Sequence, residues 1–162
     1  MGGRSAEPAG EMPATISLEE LCAQVKNELP REQRALVDTE VAQNVTTLLP
    51  KLAARQALSA LVKNALESSA PGQHVRLAAK SEEGRICLTV QDAGRGMSPE
   101  TLNHIAEPFY TTKGTGGGLG LGTFLARLFA ERLNGSLTFE SEVGIGTKAI
   151  LELPLTHYGG KG

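Results

Sequence analysis

The sequence has no run that approaches the ~18 consecutive apolar residues a membrane-spanning helix needs. Nothing in its 162 residues is therefore expected to cross or touch a bilayer. It also lacks a surplus of positive charge. With 16 Lys and Arg against 18 Asp and Glu the net charge is −2, which gives nucleic acid no electrostatic footing. The N-terminal stretch MGGRSAEPAGEMPA has no apolar core of the kind a signal peptide carries. Residues 1–14 are expected to be a flexible leader and 157–162 a flexible tail. Cysteine is scarce: Cys22 and Cys87 lie far apart with no CxxC pattern, which predicts buried reduced thiols rather than a disulfide or redox pair. Neither G-x-G-x-x-G nor G-x-x-x-x-G-K-[ST] occurs, which argues against Rossmann, P-loop and Ser/Thr-kinase-type phosphate sites. No repeat or domain-sized linker interrupts the chain, so residues 15–156 are expected to form one domain.

What is present is an alternation of helical and strand patterns. SLEELCAQVKNELP opens with Ser17 and, three residues on, Glu20, a capping-box pattern ahead of Leu18, Leu21 and Val25 at helical spacing. Residues 34–50 lean towards strand. KLAARQALSALVKNALESS, residues 51–69, carries an apolar stripe of Leu58, Leu61, Val62, Ala65 and Leu66. HVRLAAK and RICLTVQ read as two strands around SEEG. Ser98-Pro99-Glu100 starts a short helix to about residue 104. LGTFLARLFAERLN is a second amphipathic helix closed by Asn134-Gly135, and a hairpin around EVGIGT follows.

Three features carry chemistry. Asn64 sits at the edge of the apolar stripe, where Asn costs roughly 0.5 kcal/mol against Ala. It is either a polar boundary residue or an amide oxygen presented to a hard cation such as Mg²⁺. Asp92-Ala93-Gly94-Arg95-Gly96-Met97 ends a strand with an acid, then two glycines. It is either an Asx-type turn or a pocket in which the acid accepts from an exocyclic amine and the glycines admit a flat ligand. Gly116, Gly117, Gly118, Gly120 and Gly122, interleaved with Leu119 and Leu121, run straight into a helix. That is either a linker or a set of backbone N–H groups facing an anion.

In order, NALESS, DAGRGM, EPFYTTK and GGGLGLG resemble the N, G1, F and G2 boxes of the ATP-binding catalytic domain of sensor histidine kinases, within the superfamily shared with gyrase, Hsp90 and MutL. The resemblance spans about residues 15 to 155, and GSLTFESEVGIGTKAILELPL looks like the C-terminal hairpin of that domain. LLPKLAARQALSALVKNALESSAP and GLGTFLARLFAERLNG resemble RegB-type kinases in particular. The resemblance implies ATP and Mg²⁺ as cofactors. Asp92 would accept from the adenine amino group, with Gly94, Gly96 and Met97 closing on the base, and Asn64 would hold Mg²⁺. Phe109 would anchor a mobile lid over roughly residues 103–118. Gly118, Leu119, Gly120, Leu121 and Gly122 would surround the phosphates with backbone N–H groups. Lys113 is either a phosphate contact or a solvated loop lysine.

The implied fold is a two-layer α/β (α+β) sandwich: a mixed β-sheet packed on one face by three helices, near 18–29, 51–69 and 120–134, with nucleotide between helices and lid. The implied activity is γ-phosphoryl transfer to a histidine on a separate dimerisation hairpin of the same kinase, with a response regulator downstream. Such a piece belongs in the cytoplasm, whether or not the intact kinase is anchored in the inner membrane. The chain departs from the family in two places. Ala60 stands where a second Asn is usual, and Glu67 where many members carry a basic residue. An acceptor histidine is typically followed by Glu or Asp, whereas His74, His104 and His157 are followed by Val, Ile and Tyr, so the acceptor is expected on another segment. Another ATPase or serine kinase of the superfamily, or a non-catalytic nucleotide-binding module, would share the same boxes.

Overall fold

The computed structural model describes residues 11–107 and 121–156. Seven strands and five helices alternate over this span: β1 (Ala14–Ser17), α1 (Leu18–Asn27), α2 (Arg31–Arg34), β2 (Val37–Val41), β3 (Thr46–Leu49), α3 (Lys51–Ser68), β4 (Val75–Glu82), β5 (Arg85–Asp92), α4 (Pro99–His104), α5 (Leu121–Arg132), β6 (Ser136–Glu142) and β7 (Gly146–Pro154). Five strands form a mixed sheet in the order β2-β4-β5-β7-β6, while β1 and β3 make a separate two-stranded ladder. β2 pairs with β4 in parallel and the remaining neighbours are antiparallel. A parallel pair needs a long crossover, and the chain supplies it through β3 and α3.

Period-two alternation gives the sheet one apolar face. Val75, Leu77, Ala79, Ile86, Leu88, Val90, Ala149, Leu151 and Leu153 are all buried. Against them lie three helices: α1 through Leu18, Leu21 and Val25, α3 through Leu58, Leu61 and Val62, and α5 through Ala126, Phe129 and Ala130. Each fully buried Leu, Ile or Val stabilises by about 1.5–3 kcal/mol relative to exposure, so this one layer of contacts dominates the fold energy. The opposite face carries Arg76, Lys80, Thr89 and Gln91 and is solvated, as an antiparallel sheet permits. The two-layer sandwich with three helices on one face is thus the observed architecture.

Ser17 is the N-cap of α1 as its spacing implies: its Oγ accepts from Glu20 N at 3.0 Å. Other details differ from the sequence pattern. Ala14, assigned from sequence to the leader, is the first residue of β1 and pairs with Leu49. Glu11 reaches further: its carboxylate accepts from Leu52 N at 2.6 Å and Ala53 N at 3.1 Å. It thereby caps α3, whose own N-cap, Pro50, has no side chain to do so. Cys22 is buried, and burial pushes its thiol up to about 11. Cys87 departs from the expected burial. It lies on the open face of β5, half-buried, and neither cysteine is in a disulfide.

Candidate functional site

The site is built where β5 ends. Asp92 is its last residue and only 7% exposed, because Asp92 points to the helix side of the sheet like Ile86, Leu88 and Val90. Its Oδ1 accepts from Gly94 N at 2.8 Å and from Thr147 N, on the neighbouring strand, at 3.3 Å. Among the described residues both of its hydrogen bonds go to that one oxygen. Burial raises the Asp92 carboxyl above the usual carboxylate range, against the opposing pull of the two backbone N–H groups and the charge of Arg95. A desolvated carboxylate with a fixed Oδ1 leaves Oδ2 to a donor from outside.

The turn after Asp92 is clamped on two sides. A Cβ at Gly94 would lie 2.2 Å from Ser68 O at the C-terminus of α3. Gly96 has φ +72°, and a Cβ there would lie 2.1 Å from Glu142 O. On the hairpin side Met97 N donates to Ser141 Oγ at 2.8 Å and Gly144 N donates to Arg95 O at 2.8 Å. Ser141 Oγ in turn lies 2.8 Å from Thr147 Oγ1. The two glycines are thus required first by protein backbone, not by a ligand. They let the turn wedge between α3 and the β6–β7 hairpin.

A cavity of about 250 Å³ opens above this turn. Asp92, Val90, Thr147 and Ala149 form its floor; Leu61, Asn64 and Ala65 of α3 form one wall. Opposite them stand Gly96, Met97, Thr101 and Ile105. Asn64 is half-buried and its Nδ2 donates to Thr123 Oγ1 at 3.2 Å, which ties α3 to the first turn of α5. One turn earlier on α3, Ala60 does not line the cavity. It meets α5 instead, since a Cβ at Gly122 would lie 3.2 Å from Ala60 Cβ.

A family model described as "Histidine kinase-, DNA gyrase B-, and HSP90-like ATPase" matches residues 50–157, two thirds of the chain. The chain belongs to this family. Among curated relatives it is 37% identical over 101 residues to the sensor protein DegM of Bacillus sp. (strain B21-2), a match covering 62% of this chain and 26% of DegM. It is 34% identical over 104 residues to the sensor protein SrrB of Staphylococcus aureus, covering 61% of this chain and 18% of SrrB. The chain therefore spans about a quarter or less of these relatives. Among solved structures, full-length ShkA in complex with AMPPNP superposes with a TM-score of 0.79 at 26% identity, over 89% of this chain and 31% of ShkA. The catalytic domain of histidine kinase ThkA gives 0.78 at 25% identity, over 89% of this chain and 96% of that one.

Within this histidine-kinase-type ATPase domain, four sequence candidates meet around one cavity: Asn64, Asp92, Gly96 and Met97. Gly94 supports it from below through its contact with Ser68. Leu121 and Gly122 begin α5 and are not among the lining residues. Phe109, Lys113, Gly118, Leu119 and Gly120 lie outside the described residues, as does most of the expected lid. Three contributors were not legible as site residues. Thr123 directly follows the glycine run, and Thr147 stands opposite the acid at the start of the last strand. Ser141 is joined to the turn only by the fold. For Thr147 a signal existed, since a Gly-x-Gly-Thr turn leading into a strand places a polar residue beside a strand end. No helix among the described residues is long and apolar enough to cross a membrane.

Proposed function

We propose that the cavity over Asp92 binds Mg-ATP and that the domain transfers the γ-phosphoryl group to a histidine on a separate dimerisation hairpin. The observation that carries this reading is the buried carboxylate whose Oδ1 is occupied by Gly94 and Thr147, so that Oδ2 suits the amino group of adenine. The apolar side chains of Leu61, Val90 and Ala149 suit the flat faces of the base. Among the described residues no group of three His, Cys, Asp or Glu could hold a metal alone. The single amide oxygen of Asn64 fits Mg²⁺, a hard ion that keeps several waters and takes substrate phosphates as ligands. When bound, the ion would neutralise phosphate charge. The chain's own contribution is positional: Asp92 fixes the base, Asn64 the phosphate end, and the closed cavity floor excludes water from the base. The glycines of 116–122, Phe109 and Lys113 are assigned to the phosphate side. The reading also places this domain in the cytoplasm, signalling to a response regulator through the hairpin.

The test is phosphotransfer in trans. The two histidines in the described part are each held by a carboxylate, His74 Nδ1 by Asp38 Oδ2 and His104 Nδ1 by Glu107 Oε2, both at 2.9 Å. Incubated alone with labelled ATP, the protein is expected to acquire no acid-labile phosphate. A supplied hairpin carrying the acceptor histidine is expected to become labelled slowly, because the effective concentration that covalent linkage gives is missing. Acid-stable label on a hydroxyl side chain would instead indicate a serine kinase, and no label on any acceptor a binding module.

Ala60 provides a further check. Since it faces Gly122 and not the cavity, Ala60→Asn is expected to lower stability by about 0.5–1 kcal/mol through helix propensity and crowding of α5. Mg-ATP affinity is expected not to tighten. A thermal melt beside a Mg-ATP titration measures both, and tighter binding would show that position 60 reaches the ion.

A further inference from the structure

An asparagine that offers its oxygen to a cation must turn its –NH₂ elsewhere, because the two ends of the amide have similar shape and opposite polarity. In this domain the Asn64 Nδ2 turns to Thr123 Oγ1, at 3.2 Å. Thr123 is itself only 6% exposed and borders the same cavity. It belongs to the first turn of α5, the helix into which the glycine-rich run leads, and no other polar side chain of that helix is buried. A small apolar residue would fill the space as well, so packing alone does not call for a hydroxyl here.

We propose that Thr123 is a positioning residue for the metal-bound nucleotide: by accepting from Asn64 Nδ2 it holds the Asn64 amide oxygen towards the cavity, and it makes that orientation depend on the seat of α5 against α3. Partners that orient a metal ligand typically change metal affinity 10–100-fold when removed. The proposal rests on the Mg-ATP reading above. Thr123 acts through Asn64 and touches no reacting atom, so its signature is confined to the Mg²⁺-dependent part of binding.

The experiment is calorimetric titration of the whole chain with ADP, once in excess Mg²⁺ and once in EDTA, for the wild type, Thr123→Val and Thr123→Ser, with a thermal melt of each. Thr123→Val keeps the shape of the side chain and removes the acceptor; Thr123→Ser keeps the acceptor and removes a methyl group. The expected result is a metal-free ADP affinity within about twofold of wild type for both variants, and loss of roughly tenfold of the Mg²⁺ gain in Thr123→Val only. A double-mutant cycle with Asn64→Ala completes it: if Thr123 acts through Asn64, Thr123→Val changes nothing further on that background. An unchanged Mg²⁺ gain in Thr123→Val, or equal losses in Val and Ser, would overturn the proposal. So would a cycle in which the two substitutions add. Should Thr123→Val melt too low to titrate, Thr123→Ala, which also lacks the acceptor, takes its place and must lose the same Mg²⁺ gain. Serine must retain the full Mg²⁺ gain while Asn64→Ala loses it. A wild type whose ADP affinity is indifferent to Mg²⁺, or that binds no ADP, overturns the Mg-ATP reading itself, and the role of Thr123 falls with it.

Discussion

Asp92→Asn is expected to weaken nucleotide binding by well over about tenfold while leaving the fold intact. Asparagine retains Oδ1, the acceptor for Gly94 N and Thr147 N, so the turn keeps both of its anchors. It replaces Oδ2 with –NH₂, which faces the adenine amino group donor to donor. Losing that bond and leaving its buried partner unpaired should cost about 2–3 kcal/mol, roughly a 30- to 150-fold loss of affinity. Asp92→Ala is a poorer test, since it also strips the two backbone N–H groups of their acceptor. A folded Asp92→Asn protein that binds ATP as tightly as wild type would remove Asp92 from the site.

The same substitution has an opposite effect on the ligand-free protein. Burial raises the Asp92 pKa in the folded state above its ordinary value near 3.8. Between those two values the native state binds more protons than the unfolded chain, so stability falls as pH rises through that window. The stability advantage of the protonated carboxyl is complete below the ordinary value and gone above the folded one. Asn does not titrate. Asp92→Asn should therefore gain stability relative to wild type as pH is raised from acid to neutral, reaching a plateau once Asp92 is ionised in the fold. Denaturant unfolding of both proteins across that range measures the difference. A carboxylate retained at a cost to stability is a mark of function rather than of folding.

Gly96→Ala is expected to destabilise the domain by about 3 kcal/mol, lowering Tm by roughly 10 °C. Two causes add. A left-handed φ costs a non-glycine residue about 1–2 kcal/mol, and the new Cβ would sit 2.1 Å from the carbonyl of Glu142, which is backbone and cannot swing aside. Gly84 is the internal control. It has φ +76° with nothing within 4 Å of where a Cβ would stand, so Gly84→Ala should show the conformational cost alone. Equal losses at 84 and 96, read by thermal melts, would mean that the turn is not wedged against the hairpin.

Much of this fold was legible because it repeats a period. The Leu58-Leu61-Val62-Ala65 stripe, the alternation of Ile86, Leu88 and Val90, and the Ser17 cap are local signals, and the structure places each of them as their spacing implies. What escaped notice is short or non-local. β1 has four residues and only one buried side chain, Ile16, so it offers no period to read, and α2 spans a single turn. The capping of α3 by Glu11 bridges 41 residues and leaves no pattern in sequence. Of the site, Asp92 and Asn64 stood out as polar residues in apolar runs. The glycines stood out for the turn, but their close backbone neighbours did not, since only the tertiary fold brings Ser68 O and Glu142 O against them. Thr123 is silent in sequence because threonine is at home at helix starts without any function, and Thr147 is marked only by the Gly-x-Gly turn before it.

If Asp92 reads adenine, one comparison shows it without any mutation. Adenine presents an amino group where guanine presents a carbonyl oxygen, so a carboxylate acceptor that favours the first is repelled by the second. Calorimetric titration of the wild-type chain with ADP and with GDP, in the same Mg²⁺ buffer, should give saturable one-to-one binding of ADP and at least about thirtyfold weaker binding of GDP. Equal affinity for the two nucleotides, or no saturable binding of ADP, would contradict it.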